Sequence, residues 1–404
     1  MAVAGGPGLL VLMGSGETSP TMVGVHRTVV GRLPRRPGAL LLDTPYAFQE
    51  NAKDISARAR HYFARSVGLV VDVMAEDAAW RLREADWVFS GPGSPTYAME
   101  RWKAASVAGE LRERIAAGRG VTVLASAAAC TAGLATVPVY EIYKVGSAPY
   151  WAPGLDLLGE IGLRAVVIPH YDNTEGGTHD TRFCYLGERR LAAMEAELPD
   201  AAAILGVDEH TAVVLDFAEG TAEVMGRGGL TIRRREGQTV LPHGTLLTLA
   251  GLRALADGSG APDVTLRPVH RGEREPRATL AEVLKSCEGR FDTALRGRDP
   301  EGMTGAVLDL ENEIATWAAD TEEDDGGVDQ ARDVLRHLIA RMGRTCDPRD
   351  RRERLTPVAD PMIALRARLR AHGDYRTADA VRAALSAIGV VVHDTADGPR
   401  WSVR

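Results

Sequence analysis

Residues 121–130, VTVLASAAAC, run from β-branched and aliphatic residues into small ones and on into an alanine run that favours helix. A buried parallel strand turning sharply into a helix reads this way, and the turn carries Ser126. On such an elbow the serine oxygen stands clear of small neighbours, here Ala125, Ala127 and Ala128, and the next backbone N–H points at a developing oxyanion. Alanine-rich strand ends also serve packing, so Ser126 gains weight only with a base beside it. The run LRAVVIPHY (163–171) ends in His170. Strand ends of open α/β sheets gather functional groups, and an imidazole paired there with a serine is a general base. Glu141, in VPVYEIYKVG, lies between the two and is a candidate to orient the ring, with Asp172, Asp208 and Glu209 as rivals. The Gly/Pro loop in FSGPGSPTYA (89–98) offers Gly93 and Ser94 as donors to an oxyanion or an anionic substrate. Arg182, in THDTRF, is a candidate for an acidic substrate group, with a surface salt bridge as the alternative. The loop GSGETSP (14–20) is neither a Walker A motif nor a complete GxGxxG, so nucleotide binding is not supported. Cys130, one helical turn past Ser126, reads as a buried, apolar-like thiol.

The elements that must position these residues follow from hydrophobic patterning. Between residue 8 and about 217, apolar runs (GLLVLM, GALLLD, GLVVDVM, ADWVFSG, VTVLAS, LRAVVIPHY) alternate with amphipathic stretches such as NAKDISARARHYFARS and VAGELRERIAAG. That alternation predicts βαβ units and a doubly wound, mostly parallel sheet. Residues 211–242 read as an antiparallel meander closing the domain, and 254–278, rich in Gly, Pro and charge, as a linker or crossover. From 279 onward apolar residues recur at three- and four-residue spacing, predicting an all-α helical domain with an acidic loop at TEEDDGG (321–327). The division expected is an α/β domain over 1–250, a linker over 251–278 and a helical-bundle domain over 279–404.

Composition narrows the function. The chain has 404 residues, 45% hydrophobic and 25% charged, as in globular proteins, and its net charge of −7 carries no overall nucleic-acid signature. The cysteines Cys130, Cys184, Cys287 and Cys346 form no CxxC pair, which argues against a zinc ribbon. No metal or cofactor is expected. No apolar stretch approaches a membrane span, and the N-terminus reads as a first strand rather than a signal peptide, so the expected compartment is the cytoplasm.

The ordered set GSGETSP, DTPYAFQENA, FSGPGSPTYA, VLASAAA, IPHYDN and GVDEHTAVVLD, over roughly residues 8–242, resembles the peptidase S51 family, the aspartyl dipeptidase and cyanophycinase group. The resemblance implies a class I glutamine amidotransferase-like fold and serine peptidase chemistry. The family elbow reads approximately G-x-S-A-G. Ser126 falls on its serine and Ala127 on the following alanine, while Leu124 and Ala128 replace its two glycines. His170 falls on the catalytic histidine and Glu141 near the acidic member. The resemblance thus implies Ser126 as nucleophile, His170 as proton carrier and Glu141 as its support, with Ala127 and Gly93 N–H groups forming the oxyanion hole.

The tail MIALRARLRAHGDYRTADAVRAALSAIGVVVHDTADGPRWSVR (362–404) resembles the C-terminal end of cysteinyl-tRNA synthetase, and the stretch from about 280 resembles that enzyme's helical anticodon-stem domain. The resemblance implies tRNA as a partner, tRNA-Cys in particular. Arg366, Arg368, Arg370 and Arg376 are the candidates to follow a phosphate backbone, against the alternative of a solvated helical face. No HIGH-type or KMSKS-type sequence is present, so a cysteine–tRNA ligase label would rest on the tail alone. Two readings follow: a tRNA-associated serine hydrolase acting on an aminoacyl or peptidyl substrate, or a non-catalytic tRNA-binding regulator with a degenerate pocket. An S51-type peptidase acting on acidic peptides is a variant of the first.

Overall fold

A computed structural model of the chain describes residues 7–75, 77–176, 178–260, 264–266, 278–318, 326–345, 348–396 and 398–403. The chain divides into two compact units, one of Met1–Thr279 with Ala315–Gly326 and one of Leu280–Ile314 with Gly327–Arg404.

The first unit is built on a parallel block of β1 (Leu9–Met13), β2 (Ala39–Leu42), β3 (Asp72–Val73), β4 (Trp87–Ser90) and β5 (Val121–Ala125), in spatial order β1-β5-β4-β2-β3. Every residue of β1 and β5 is buried. Alternation along each strand sends Leu10, Leu12 and Leu124 into one core, and Leu9, Val11, Val121 and Val123 into the core on the other face. Connections run through α1 (Val23–Val30), α2 (Ala52–Tyr62), α3 (Pro95–Ala104) and α4 (Val107–Ala116), and β5 passes directly into the short α5 (Ser126–Cys130).

Beyond α5 the chain makes a small hairpin, β6 (Ala135–Thr136) with β7 (Ala152–Pro153), and then β8 (Ala165–Ile168), α6 (Gly187–Glu195), β9 (Ala203–Val207), β10 (Thr211–Asp216), β11 (Thr221–Gly226), β12 (Gly229–Arg234), β13 (Gly237–Pro242), β14 (Thr245–Thr248), α7 (Leu249–Asp257) and β15 (Val264–Leu266). These strands divide between two sheets. β10, β11, β14 and β15 extend the main sheet past β1, all antiparallel, whereas β8, β9, β12 and β13 form a four-stranded sheet in the order β13-β12-β9-β8.

Three expectations need correcting. The strand leading to His170 belongs to this second sheet, where it pairs in parallel with β9. The 211–242 meander is split, since β11 stays on β10 while β12 crosses to β9. The segment expected to link the domains is partly folded into the first unit: α7 is capped by Thr248, buries Leu252, Leu255 and Ala256, and leads to β15 on the edge of β14. The rest of that segment, residues 261–263 and 267–277, lies outside the described residues.

The second unit holds α8 (Leu280–Gly297), α9 (Pro300–Trp317) up to Ile314, α10 (Gly326–Arg344) from Gly327, α11 (Pro348–Ala371) and α12 (Tyr375–Ala387). α8 buries Leu284, Cys287, Phe291 and Ala294, the three- and four-residue spacing of one helical face. The all-helical expectation fails at the end of the chain, where β16 (Val390–Thr395) and β17 (Gly398–Val403) pair as an antiparallel hairpin. Val390, Val392 and Trp401 pack with Ile363, Val381 and Leu385, so the hairpin closes a core that α11 and α12 leave open. The acidic loop falls largely on residues 319–325, outside the described residues. Among the described residues, no helix is long and apolar enough to cross a membrane.

Candidate active site

β1 and β5 run in register, Met13 beside Ala125, so Gly14 and Ser126 leave the sheet side by side. Ala125 is extended, and Ser126 then takes a φ of 50°, left-handed backbone that a non-glycine residue occupies rarely and at a cost. That kink turns the strand into α5 within one residue. Below it, Ala128 N–H donates to Gly91 O at 3.2 Å and fixes the elbow to the 91–94 loop. Leu124 and Ala128, which stand where glycines were expected, are fully buried in the core beneath the elbow and do not crowd its outer face.

His170 follows β8 and also has a left-handed φ, 48°. Its backbone is held on both sides: its N–H donates to Gly14 O at 3.2 Å, and its carbonyl accepts from Cys184 N–H at 3.2 Å. Gly14 also lets the 207–208 backbone close in on the end of β1, because a Cβ there would lie 2.0 Å from Asp208 O. The ring is thereby placed with Nε2 2.7 Å from Ser126 Oγ. Nδ1 lies 3.0 Å from Glu209 Oε1, and the same oxygen accepts from Asn173 Nδ2 at 3.0 Å. Burial pushes the Glu209 carboxyl up, but the hydrogen bonds from His170 and Asn173 and the charges of His170 and His210 outweigh it and hold it below the usual range. An ionised Glu209 only accepts, so Nδ1 carries the ring proton and Nε2 accepts from the Ser126 hydroxyl. Glu209 is itself fixed, since its N–H donates to Asp172 Oδ1 at 2.7 Å.

The acid beside the imidazole is therefore Glu209, and the Glu141 assignment is corrected. Glu141 sits on a short turn, Tyr140–Lys144, and accepts from Thr96 Oγ1 at 2.6 Å. Asn173, fully buried, is a site residue the sequence reading did not single out. It sits in the IPHYDN stretch three residues past His170, and that polar pair was its one local signal.

The oxyanion candidates lie on either side of the elbow. Ala127 is the second residue of α5, so its N–H has no acceptor within the helix. Gly93 has a φ of 125° and comes so close to Pro45 that a Cβ would sit 2.1 Å from its carbonyl oxygen, which only glycine allows. Ser94, expected to bind substrate, is instead the cap of α3: it is buried, and its Oγ accepts from Tyr97 N–H at 3.2 Å. Since Thr96 donates its proton to Glu141, Ser94 donates to Thr96, and its one proton is used inside the protein. Arg182 is also engaged, gripping Asp180 through Nε and Nη2 at 2.9 Å each, the salt bridge that was the alternative reading.

Of the tail arginines, Arg366 is buried at 1% exposure and forms a two-pronged pair with Asp394 at 2.7 and 2.9 Å. It braces the hairpin against α11 and is not available to a phosphate, which corrects its assignment. Arg370 shares Asp394 at 2.9 Å. Arg368 and Arg376 are exposed.

No family model matches the chain. It is similar to the cysteine–tRNA ligase of Micrococcus luteus, 30% identical over 189 residues, 46% of this chain and 32% of that enzyme. It is also similar to the cysteine–tRNA ligase of Desulforudis audaxviator, 27% identical over 146 residues, 33% of this chain and 30% of that enzyme. The chain thus spans about a third of the length of the curated relatives it matches. Among solved structures it is similar to a peptidase from an acI-B1 Actinobacterium, at 18% identity and a TM-score of 0.46, covering 60% of this chain and 98% of that one. The likeness is in two parts, to a peptidase on one side and to a tRNA ligase on the other.

Proposed function

We propose that the α/β unit is a serine hydrolase performing acyl transfer, and that the C-terminal unit binds tRNA, so that the substrate is an aminoacyl or peptidyl group carried on tRNA. The observation that supports this reading is the relay at the elbow: Ser126 Oγ 2.7 Å from His170 Nε2, with His170 Nδ1 3.0 Å from Glu209. Ser126 Oγ attacks the acyl carbonyl carbon while His170 Nε2 takes its proton. The carbonyl π electrons move to oxygen, where the Ala127 and Gly93 N–H groups receive the charge. Glu209 steadies the imidazolium, and Asn173 holds Glu209. His170 returns the proton to the leaving oxygen or nitrogen as its bond to carbon breaks. Water, activated by the same imidazole, then releases the acyl group from Ser126.

The regulator reading rested on a distorted elbow. The burial of Leu124 and Ala128 beneath the turn favours the hydrolase. The kinship with tRNA ligases, together with exposed Arg368 and Arg376, supports the tRNA arm. The test is release of amino acid from charged tRNA by the full chain, compared with Ser126→Ala. Release lost in the variant supports the reading, and equal release removes it. Hydrolysis of small peptides or esters at a rate indifferent to added tRNA would separate the hydrolase from its proposed carrier.

A further inference from the structure

Glu141 takes no part in the relay, yet the turn that carries it lies close by. In Tyr140–Lys144, Ile142 is the buried residue, packed in one cluster with Cys130, Ile168 and Phe183. Glu141 ties the turn to the 91–98 loop by accepting from Thr96 Oγ1. Anchored in these two ways, the turn leaves Tyr143 and Lys144 exposed, Tyr143 by 38%. The Tyr143 ring centroid lies 5.0 Å from that of Tyr185, which in turn lies 6.1 Å from that of His170. Tyr185 is fixed by packing against the same cluster and by its hydroxyl, which donates to Glu175 Oε2 at 2.8 Å. The exposed His179 ring is nearly parallel to Tyr143, with 16° between the planes and centroids 6.5 Å apart. Aromatic rings thus continue from the catalytic imidazole to the surface in ring-to-ring steps. Lys144 adds a cation, its Nζ 4.5 Å from the Tyr140 centroid. An isolated exposed ring needs no explanation, but a contiguous row beside a reacting group marks a binding surface.

We infer that Tyr143, Tyr185 and His179 form a stacking subsite for the terminal nucleobase of the RNA acceptor end, with Lys144 supplying charge for the adjoining phosphate. The row fits a flat heterocycle. It is open, and tyrosine and histidine rings carry polar edges, unlike the closed apolar pocket that takes an aliphatic or phenyl group. Unpaired nucleobases stack on such rings with their edges in water, and lysine neutralises the phosphates that follow. An acyl ester on a ribose hydroxyl puts its base one sugar ring away from the scissile carbonyl. The row begins one ring-to-ring step from the imidazole that serves that carbonyl. The inference rests on the reading of a tRNA-borne substrate and names where the end of that carrier sits. Tyr143 determines the specificity, because its ring is exposed whereas Tyr185 is half-buried. Stacking tolerates any base, so the subsite distinguishes an ester that carries a base from one that carries none.

The test compares two esters of one acyl group, N-acetylalanine, on the full chain: its ester with the ribose of adenosine and its ethyl ester. The ratio of their kcat/KM values measures what the nucleoside contributes. The same two esters are used with every protein, so their intrinsic reactivities cancel. Tyr143→Ala should lower the ratio by about 5- to 150-fold, the range for one stacked base. Tyr143→Phe, which keeps the ring, should hold the wild-type ratio, and a loss seen in alanine but not in phenylalanine is not unfolding. An equal ratio in wild type and Tyr143→Ala overturns the inference, and so does a loss that Tyr143→Phe shares. A preference for the ethyl ester of N-acetylphenylalanine over that of N-acetylalanine, abolished by Tyr143→Ala, also overturns it, because an aromatic acyl group then occupies the row. Failure to cleave any of these esters overturns the hydrolase reading instead, and binding of the trinucleotide CCA to the same proteins then decides the subsite. Binding weakened by Tyr143→Ala and kept by Tyr143→Phe supports it; absent binding, or equal binding in all three proteins, overturns it.

Discussion

Replacing Glu209 with glutamine isolates the charge that supports His170. Glu209 Oε1 receives two N–H donors, His170 Nδ1 and Asn173 Nδ2, each at 3.0 Å. An amide oxygen can occupy the same place and accept from both, so Glu209→Gln keeps the ring's orientation and tautomer and removes only the negative charge. In the transition state the imidazole becomes an imidazolium. A pair of unit charges 3.0 Å apart interacts by about 5.5 kcal/mol at an effective dielectric near 20. The His170 and Glu209 side chains are 14% and 25% exposed, so water screens part of this, and about 3–5 kcal/mol is expected. That corresponds to a loss of roughly 10²–10⁴ in rate. The assay is the second-order rate of Ser126 labelling by a fluorophosphonate, or kcat/KM on an activated ester, with thermal unfolding to show that the fold is intact. A folded Glu209→Gln protein that loses less than about tenfold would refute the assignment of the acid.

Four other outcomes follow from the same geometry. Glu141→Gln retains the acceptor for Thr96 and does not face the imidazole as Glu209 does, so its labelling rate should fall far less than that of Glu209→Gln when the two are measured side by side. Gly93→Ala drives a methyl group into Pro45 O and should cost about 10²–10³ in kcat with little change in KM for a small ester, the signature of a lost oxyanion donor. Arg366→Ala removes both hydrogen bonds to Asp394 and should destabilise the C-terminal unit by about 2–3 kcal/mol in denaturant unfolding, whereas Arg368→Ala with Arg376→Ala should leave stability unchanged and reduce the slope of log affinity for tRNA against log salt by roughly 1.8. Burial, then the charge of Asp172, raises Asp208 from 3.8 to about 6. A carboxyl whose folded pKa is raised stabilises most below its unfolded pKa and loses that contribution as pH climbs from about 4 through about 6, so Asp208→Asn should stabilise by about 1 kcal/mol at pH 8 and not at pH 4, read as the shift in unfolding midpoint at each pH.

Ser126 was legible because its signal is local: an apolar run, small residues and a helix-forming stretch in ten consecutive positions specify a strand-to-helix elbow. His170 was legible for the same reason, as the polar end of an apolar run. The acid was not, because Glu141 and Glu209 are both acidic residues in connecting segments, and the choice between them depends on which loop lies over the imidazole. That is settled by the second sheet, where β8 pairs with β9 and brings the 208–210 loop to His170. The sequence pattern of β8 is the same whichever sheet it joins, so the division into two sheets was equally hidden. Ser94 and Arg182 illustrate a related limit: both lie in the right loops, but a cap on α3 and an ion pair with Asp180 use their polar atoms. Arg366 shows it in the tail, where helical spacing places an arginine on a face, and only the Asp394 partner on β16, 28 positions away, makes it a buried brace.

The most direct test of the relay is the site and rate of fluorophosphonate labelling in the wild-type chain and in His170→Ala. A Ser126 hydroxyl activated by His170 yields a single adduct on the peptide containing Ser126, and that adduct is lost when the imidazole is removed. An unlabelled wild-type protein, or a His170→Ala protein labelled at Ser126 as fast as wild type, would contradict it.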